Sequence, residues 1–214
     1  MDTQEALDRA IAAWLARAHP APEQARSEWA IQGVALLPLG DRFAAVRMPA
    51  DVIHAALASR DPDQVAVSLG EVLGGSIIYD HRVAGGTYYA LVQGHAGLVW
   101  AYDDIATCLG HGTYLGVPRL DRQQPPGAYW MIPPRYEGDL CAPRTIIPLI
   151  ELGRSRLASA PQPDPHGRRV SADAALGSER PPITEASASP PHKLPPIKGG
   201  GGQSWPRQPS RKVQ

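Results

Sequence analysis

Residues 33–49, GVALLPLGDRFAAVRMP, decide the fold class. Before them apolar residues recur at helical intervals, but here they run together over 34–39 and again over 43–48, with Gly40 and Asp41 between. Short apolar runs bounded by glycine have the length and composition of strands rather than helices. The segment is therefore expected to form two strands joined as a hairpin at the Gly-Asp turn.

Toward the amino terminus, Leu7, Ile11, Trp14, Leu15 and Ala18 mark one apolar face of a helix that Pro20 ends, and Asp2 with Glu5 has capping-box spacing. Pro22 suits the first turn of a second helix, over 23–30, with Trp29 turned inward. Toward the carboxyl terminus, helices are expected over 49–57 and 62–72, the second ended by Gly74-Gly75. Strands 76–79 and 87–92 form a hairpin around Gly85-Gly86, whose glycines take positive φ without steric cost. A helix over 98–109, strands over 113–117 and 128–132, and a final helix over 144–157 that tolerates Pro148 complete the pattern. About six strands and as many helices give an α+β fold with a mixed, largely antiparallel sheet.

The chain changes character near Leu157. All seven Tyr, the single Phe43 and four of the five Trp precede it, whereas residues 161–214 hold 11 of the 23 Pro and 6 of the 21 Gly. Isolated apolar residues there bury too little surface to offset about 1–2 kcal/mol per residue of backbone ordering. The expected organisation is a compact α+β domain over 1–157 and a disordered, Pro/Gly-rich basic tail over 158–214. Zero net charge conceals an asymmetry: residues 1–160 carry 17 acids against 13 Arg and no Lys, and residues 161–214 carry 4 acids against 8 bases. The tail is thus expected either to lie on the domain's own acidic surface or to reach a protein or nucleic-acid partner, through contacts that salt weakens. Within it, PRQPSR at 206–211 has the PxxPxR pattern that polyproline-II readers take up.

Two cysteines, Cys108 and Cys141, supply neither a disulfide framework nor a four-thiolate zinc site, and imply reduced thiols. No segment approaches the ~18 apolar residues of a membrane span, and the amino terminus lacks a basic-then-apolar leader. The expectation is a cytoplasmic protein without a membrane partner.

No catalytic constellation is complete. Cys108-x-x-His111, with His95, Asp103 and Asp104 nearby in sequence, offers zinc-competent side chains but only one of the two ligand pairs of a structural site. Asp80 and His81 are adjacent, and adjacent strand residues point to opposite faces. Residues 70–75 lack the Lys and Ser/Thr of a phosphate loop, and there is no Gly-x-Ser-x-Gly elbow. No catalytic residue, metal or cofactor is assigned. The richest stretch is 111–135, where Arg119, Arg122 and Arg135 lie on loops that leave neighbouring strands, with His111, Tyr114, Asp121 and Trp130 beside them. Guanidiniums and aromatic rings on loops make a face able to hold an anionic or aromatic ligand or a partner. The structural alternative is that Asp121 and Glu137 pair with these arginines while Trp130 belongs to the core.

Residues 33–49, TYLGVP at 113–118 and YWMIPP at 129–134 resemble small proteins of high-GC bacteria, themselves similar to a degenerate amino-terminal domain of the bifunctional DNA primase/polymerase family. The resemblance spans residues 18–157 in pattern and implies that domain's fold, with nucleotide or nucleic-acid affinity. Catalysis in that family needs paired acids on a strand to hold two metals, and a His that positions a phosphate. No Asp-x-Asp or Asp-x-Glu stands on an expected strand, so no active-site residue carries over. The expected function is non-catalytic binding through the 111–135 face and the basic tail, with a divergent primase/polymerase-like nucleotide- or nucleic-acid-binding domain as the alternative.

Overall fold

The computed structural model describes residues 3–82 and 85–160, all within the first of the chain's two units, Met1–Asp164. Asp2 and residues 161–214 of the expected tail fall outside the described residues, whereas the last helix runs to Ser159 and so continues past the expected domain end at Leu157. The elements are α1 (Thr3–Ala16), α2 (Pro22–Gln32), β1 (Val34–Pro38), β2 (Phe43–Pro49), α3 (Ala50–Leu57), α4 (Pro62–Leu73), β3 (Ile77–Asp80) and β4 (Thr87–Gln93). A short 3-10 turn (Gly94–Leu98), β5 (Thr107–Leu109), β6 (Tyr114–Pro118), β7 (Ala128–Ile132) and α5 (Pro143–Ser159) follow. The fold is α+β, as expected, with a five-stranded sheet of order β5-β2-β4-β3-β7 and a separate two-stranded ribbon, β1-β6. Every ladder in both is antiparallel. No helix among the described residues is long and apolar enough to cross a membrane.

The central pair, β2 and β4, is covered on both faces. Ala44, Val46 and Met48, with Tyr88, Ala90 and Val92, pack under α3, α4 and α5 through Ile53, Leu69, Ile146 and Ile150. Phe43, Ala45 and Leu91 pack on the opposite side against Leu15 and Trp29 of the first two helices and Leu37 and Val117 of the ribbon. Burial on both faces removes any need for polar alternation, which is why β2 reads as a largely apolar run interrupted only by the exposed Arg47.

Two expectations are corrected. β1 and β2 are consecutive but not a hairpin: β2 already has β4 on one edge and β5 on the other, so β1 crosses to the second layer and pairs with β6. The crossing is made at Gly40, whose φ of 113° suits glycine and whose N–H donates to Phe43 O at 2.8 Å. The free edge of β1 is closed locally, because Leu36 N–H donates to Glu28 Oε2 at 2.8 Å and Pro38 has no N–H to offer. The helix expected over 98–109 does not form. Gly94 and Gly97 limit the turn there to one 3-10 segment, and Trp100 Nε1–H donates to Ala106 O at 2.7 Å, folding the loop back so that β5 joins the edge of β2.

Elsewhere the helix ends are set by local signals. Asp61 caps α4 by accepting from Gln64 N–H at 2.9 Å, and Gly33 and Gly74 end α2 and α4 at φ of 72° and 65°. Pro143 opens α5, and Pro148 is accommodated inside it.

Glycines inside two helices have opposite roles. A Cβ on Gly153 of α5 would lie 2.1 Å from Val52 O, so this glycine sets the close crossing of α3 and α5. A Cβ on Gly70 of α4 would meet only Ile132 Cδ1 at 3.7 Å, an ordinary contact. Gly153→Ala is therefore expected to lose about 3 kcal/mol, the upper part of the overpacking range. Gly70→Ala is expected to gain about 0.5–1 kcal/mol of helix propensity. Urea midpoints of the two variants check both, and equal shifts would contradict the packing described.

His54 Nε2 lies 3.0 Å from Tyr88 Oη, and burial, then the charge of Arg60, holds the imidazole pKa below its ordinary 6.5 against the opposing pull of Asp51. The folded state favours neutral His54, so on acidification the unfolded chain takes up this proton first. The resulting stabilisation is complete above pH 6.5 and is lost as pH falls through the lowered value. His54→Gln should flatten the fall of the urea midpoint in that window; an unchanged slope would show that His54 does not supply it.

Candidate functional site

Of the 111–135 candidates, Arg119, Asp121 and Arg122 line one open hollow of about 730 Å³, and His111, Tyr114, Trp130 and Arg135 are not part of its lining. Trp130 is 1% exposed and donates Nε1–H to Pro118 O at 3.0 Å, so it belongs to the core. Arg122 donates to Gln32 O at 3.4 Å and to Pro126 O, and its guanidinium lies against Gly33 and Gly127. It braces the carboxyl end of α2, where the helix dipole favours a cation. Arg119 and Asp121 form an exposed two-bond pair, at 2.6 and 2.8 Å, that holds the Asp121 carboxyl below its usual range. Tyr114 remains 60% exposed on the outer side of the ribbon, near the sequence position where β6 begins.

Arg135 is a clamp. Its guanidinium donates to both oxygens of Asp139, at 2.8 and 2.9 Å, and to Gly74 O at 2.6 Å, while its N–H donates to Asp139 Oδ2 at 2.9 Å. The Asp139 side chain is wholly buried. Burial opposes its charge, yet the hydrogen bonds of Arg135 prevail and hold the carboxyl below 3.8. Glu137, expected to serve these loop arginines, pairs instead with Arg17 at 3.1 Å.

The remaining sequence candidates are also engaged separately. Asp80 is bound by Arg82, and His81 Nδ1 lies 3.2 Å from Gly127 O. Asp103 accepts Cys108 N–H at 3.0 Å, and Asp104 pairs with Arg154 at 3.0 Å. Burial pushes the Cys108 thiol up and the Cys141 thiol up to about 12, so neither is an activated thiolate. Among the described residues no three His, Cys, Asp or Glu side chains converge as metal ligands.

His111 alone of the 111–135 set lines a separate groove. This groove has a volume of about 590 Å³ and is built where three loops meet: Gly40, Asp41 and Arg42 after β1, Gln93, Gly94, His95, Gly97 and Leu98 after β4, and Gly110 and His111 before β6. Its floor is backbone. A Cβ on Gly94 would lie 2.1 Å from Gly40 O, and one on Gly40 would lie 2.6 Å from the His111 ring, so side chains are excluded where the loops touch. His111 Nδ1 is 3.7 Å from Asp41 Oδ1. Among the described residues, the side chains of Arg42, Gln93 and His95 make no hydrogen bond or ion pair. A further cavity, about 250 Å³, is an apolar cleft on Ala12, Leu15, Trp29, Pro118 and Leu120 with the Arg119 and Asp121 pair at its mouth.

The groove was missed in the sequence because its parts are 53 to 71 positions apart in pairing with Gly40, a separation no local spacing rule covers. The available signal was the pair of Gly-His steps, Gly94-His95 and Gly110-His111, in two separate loops.

Removing the Arg135 clamp leaves Asp139 buried without its counter-charge. Breaking a fully buried pair costs about 3–5 kcal/mol, and the exposure of the arginine side reduces this to about 2 kcal/mol for Arg135→Ala. The stabilisation is present above pH 3.8 and lost as pH falls through the lowered carboxyl value. Thermal and urea unfolding check this; an unchanged midpoint for Arg135→Ala would return Arg135 to the list of side chains free for a ligand.

Comparison of the chain with protein-family models, with curated proteins and with solved structures finds no match.

Proposed function

We propose that this chain is a binding protein that acts without catalysis, and that its recognition site is the three-loop groove beside Gly40 and Gly94. One contrast carries the reading. Arg119, Arg122 and Arg135 are engaged in contacts within the fold, whereas Arg42, Gln93 and His95 line one cavity and make no polar contact among the described residues. Polar groups that loops present and the fold does not use are the usual material of recognition sites. The volume of about 590 Å³ falls within the range of small-ligand cavities.

The basic residues beyond 160 extend this reading by charge alone, toward a protein or nucleic-acid partner. The two free cysteines, Cys108 and Cys141, support a reducing, cytoplasmic location. The nucleotide-binding alternative, implied by the primase/polymerase resemblance, draws on the same unengaged donors and differs in needing a divalent metal.

A thermal-shift screen of the full chain against small molecules, and against Mg²⁺ with a nucleoside triphosphate, tests both. At least one compound is expected to raise Tm, as ligand linkage requires, with amide shifts confined to residues 40–42, 93–98 and 110–111. Shifts centred on Arg119 and Asp121 would move the site to the apolar cleft. A rise that depends on Mg²⁺ with the triphosphate would replace this reading by the nucleotide-binding one.

A further inference from the structure

Resting on that reading of the groove, we infer that its ligand is a compact organic molecule carrying an oxyanion, a phosphate or carboxylate group held by Arg42 and His95. The donor balance points there. Arg42 brings five N–H donors in a planar fork that matches either oxyanion, Gln93 brings an amide, and His95 a ring nitrogen. Asp41 is the only carboxylate on the groove; its side chain is 93% exposed and sits beside the His111 ring.

Among the described residues six arginines pair with a carboxylate and Arg122 and Arg156 are spent on backbone carbonyls, whereas the Arg42 side chain makes no hydrogen bond or ion pair. Arg42 also borders a neighbouring hollow of about 460 Å³ lined by Arg17, His19 and Asp41. A cationic ligand would meet Arg42 head-on. A wholly apolar one would desolvate Arg42, Gln93 and His95 with no partner in return, at a cost of about 1–3 kcal/mol for each polar group. An oxyanion satisfies all three and gains charge-assisted hydrogen bonds.

Gly40 and Gly94 let the three loops touch, because a Cβ on either would collide with Gly40 O or the His111 ring, and this contact brings Arg42 and His95 to one groove. Leu98, 87% exposed at the mouth, offers apolar contact to the body that carries the charge.

The test is an NMR titration of the full chain with inorganic phosphate and, separately, with citrate, each against chloride at equal ionic strength. Reaching roughly 10 mM covers a millimolar Kd. One of the two anions is expected to shift the His95 and His111 ring signals and the Arg42 Nε–H signal saturably, and chloride is not. Arg42→Gln should weaken that binding about tenfold or more, with Arg42→Lys in between, because a charge-assisted fork is lost and then partly restored. Both variants should keep the wild-type Tm, since the Arg42 side chain makes no hydrogen bond or ion pair among the described residues. Which anion saturates decides between phosphate and carboxylate. Shifts that chloride reproduces, or binding that Arg42→Gln leaves unchanged, would overturn the proposal. If both anions fail while an uncharged compound saturates the same signals, the oxyanion is lost and the groove stands as a binding site; if nothing saturates them, both readings fall.

Discussion

Burial of the β2–β4 pair on both faces is the constraint from which the rest of the structure follows. Seven paired positions, from Phe43 with Gln93 to Pro49 with Thr87, hold a ladder whose side chains point alternately into two separate cores. Each fully buried large side chain contributes about 1.5–3 kcal/mol of hydrophobic stabilisation, so neither face can be left to solvent. Three helices close one side. The other needs a second layer, and α1, α2 and the β1–β6 ribbon supply it.

The ribbon is fastened by tryptophans. Trp29 donates its indole N–H to Val117 O at 2.8 Å, and Trp130 donates to Pro118 O at 3.0 Å, so neighbouring carbonyls of β6 are tied to α2 and to β7. An indole brings a large apolar surface and a single donor, which must find a partner when buried. Both requirements are met at one strand, which fastens the ribbon to α2 and to the edge strand β7 within the second core. The arginine clamps act in the same sense at the periphery: Arg122 on the end of α2, Arg135 on Asp139 and Gly74, and Arg156 on the carbonyls of Ala55 and Ala56. Side chains that look like a binding cluster in sequence are thereby consumed in holding loops to the layers. What is left over, at the end of the sheet where three glycine-containing loops meet, is a small set of donors with no such duty.

Much of the fold was legible. The apolar spacing of Ile11, Trp14 and Leu15, the helix that Pro62 opens and Gly74 ends, and the hairpin of β3 and β4 all follow from interactions within a few residues, and all appear where the sequence places them. The failures share a cause. Residues 98–109 carry enough apolar positions for a helix, yet the indole of Trp100 and the vacant edge of β2 are stronger than that weak propensity. Likewise Val34 to Pro38 has the composition of a hairpin partner for β2, but composition does not say that both edges of β2 are already taken. The candidate face was only partly legible, because one-dimensional clustering shows which charges are near in sequence and not which carbonyl or carboxylate will meet them.

By itself, the sequence determined the α+β class, the helix boundaries set by proline, glycine and capping carboxylates, and the contrast between an acidic amino-terminal body and a basic Pro/Gly-rich remainder, because each depends on local sterics or on composition. Tertiary structure alone decided the split into sheet and ribbon, the assignment of Arg122 and Arg135 to clamps, and the meeting of Gly40, Gly94 and His111 in one groove. Those outcomes depend on which distant backbone edges and carbonyls remain unpaired once the core has closed, and that competition has no signature in any short stretch of chain.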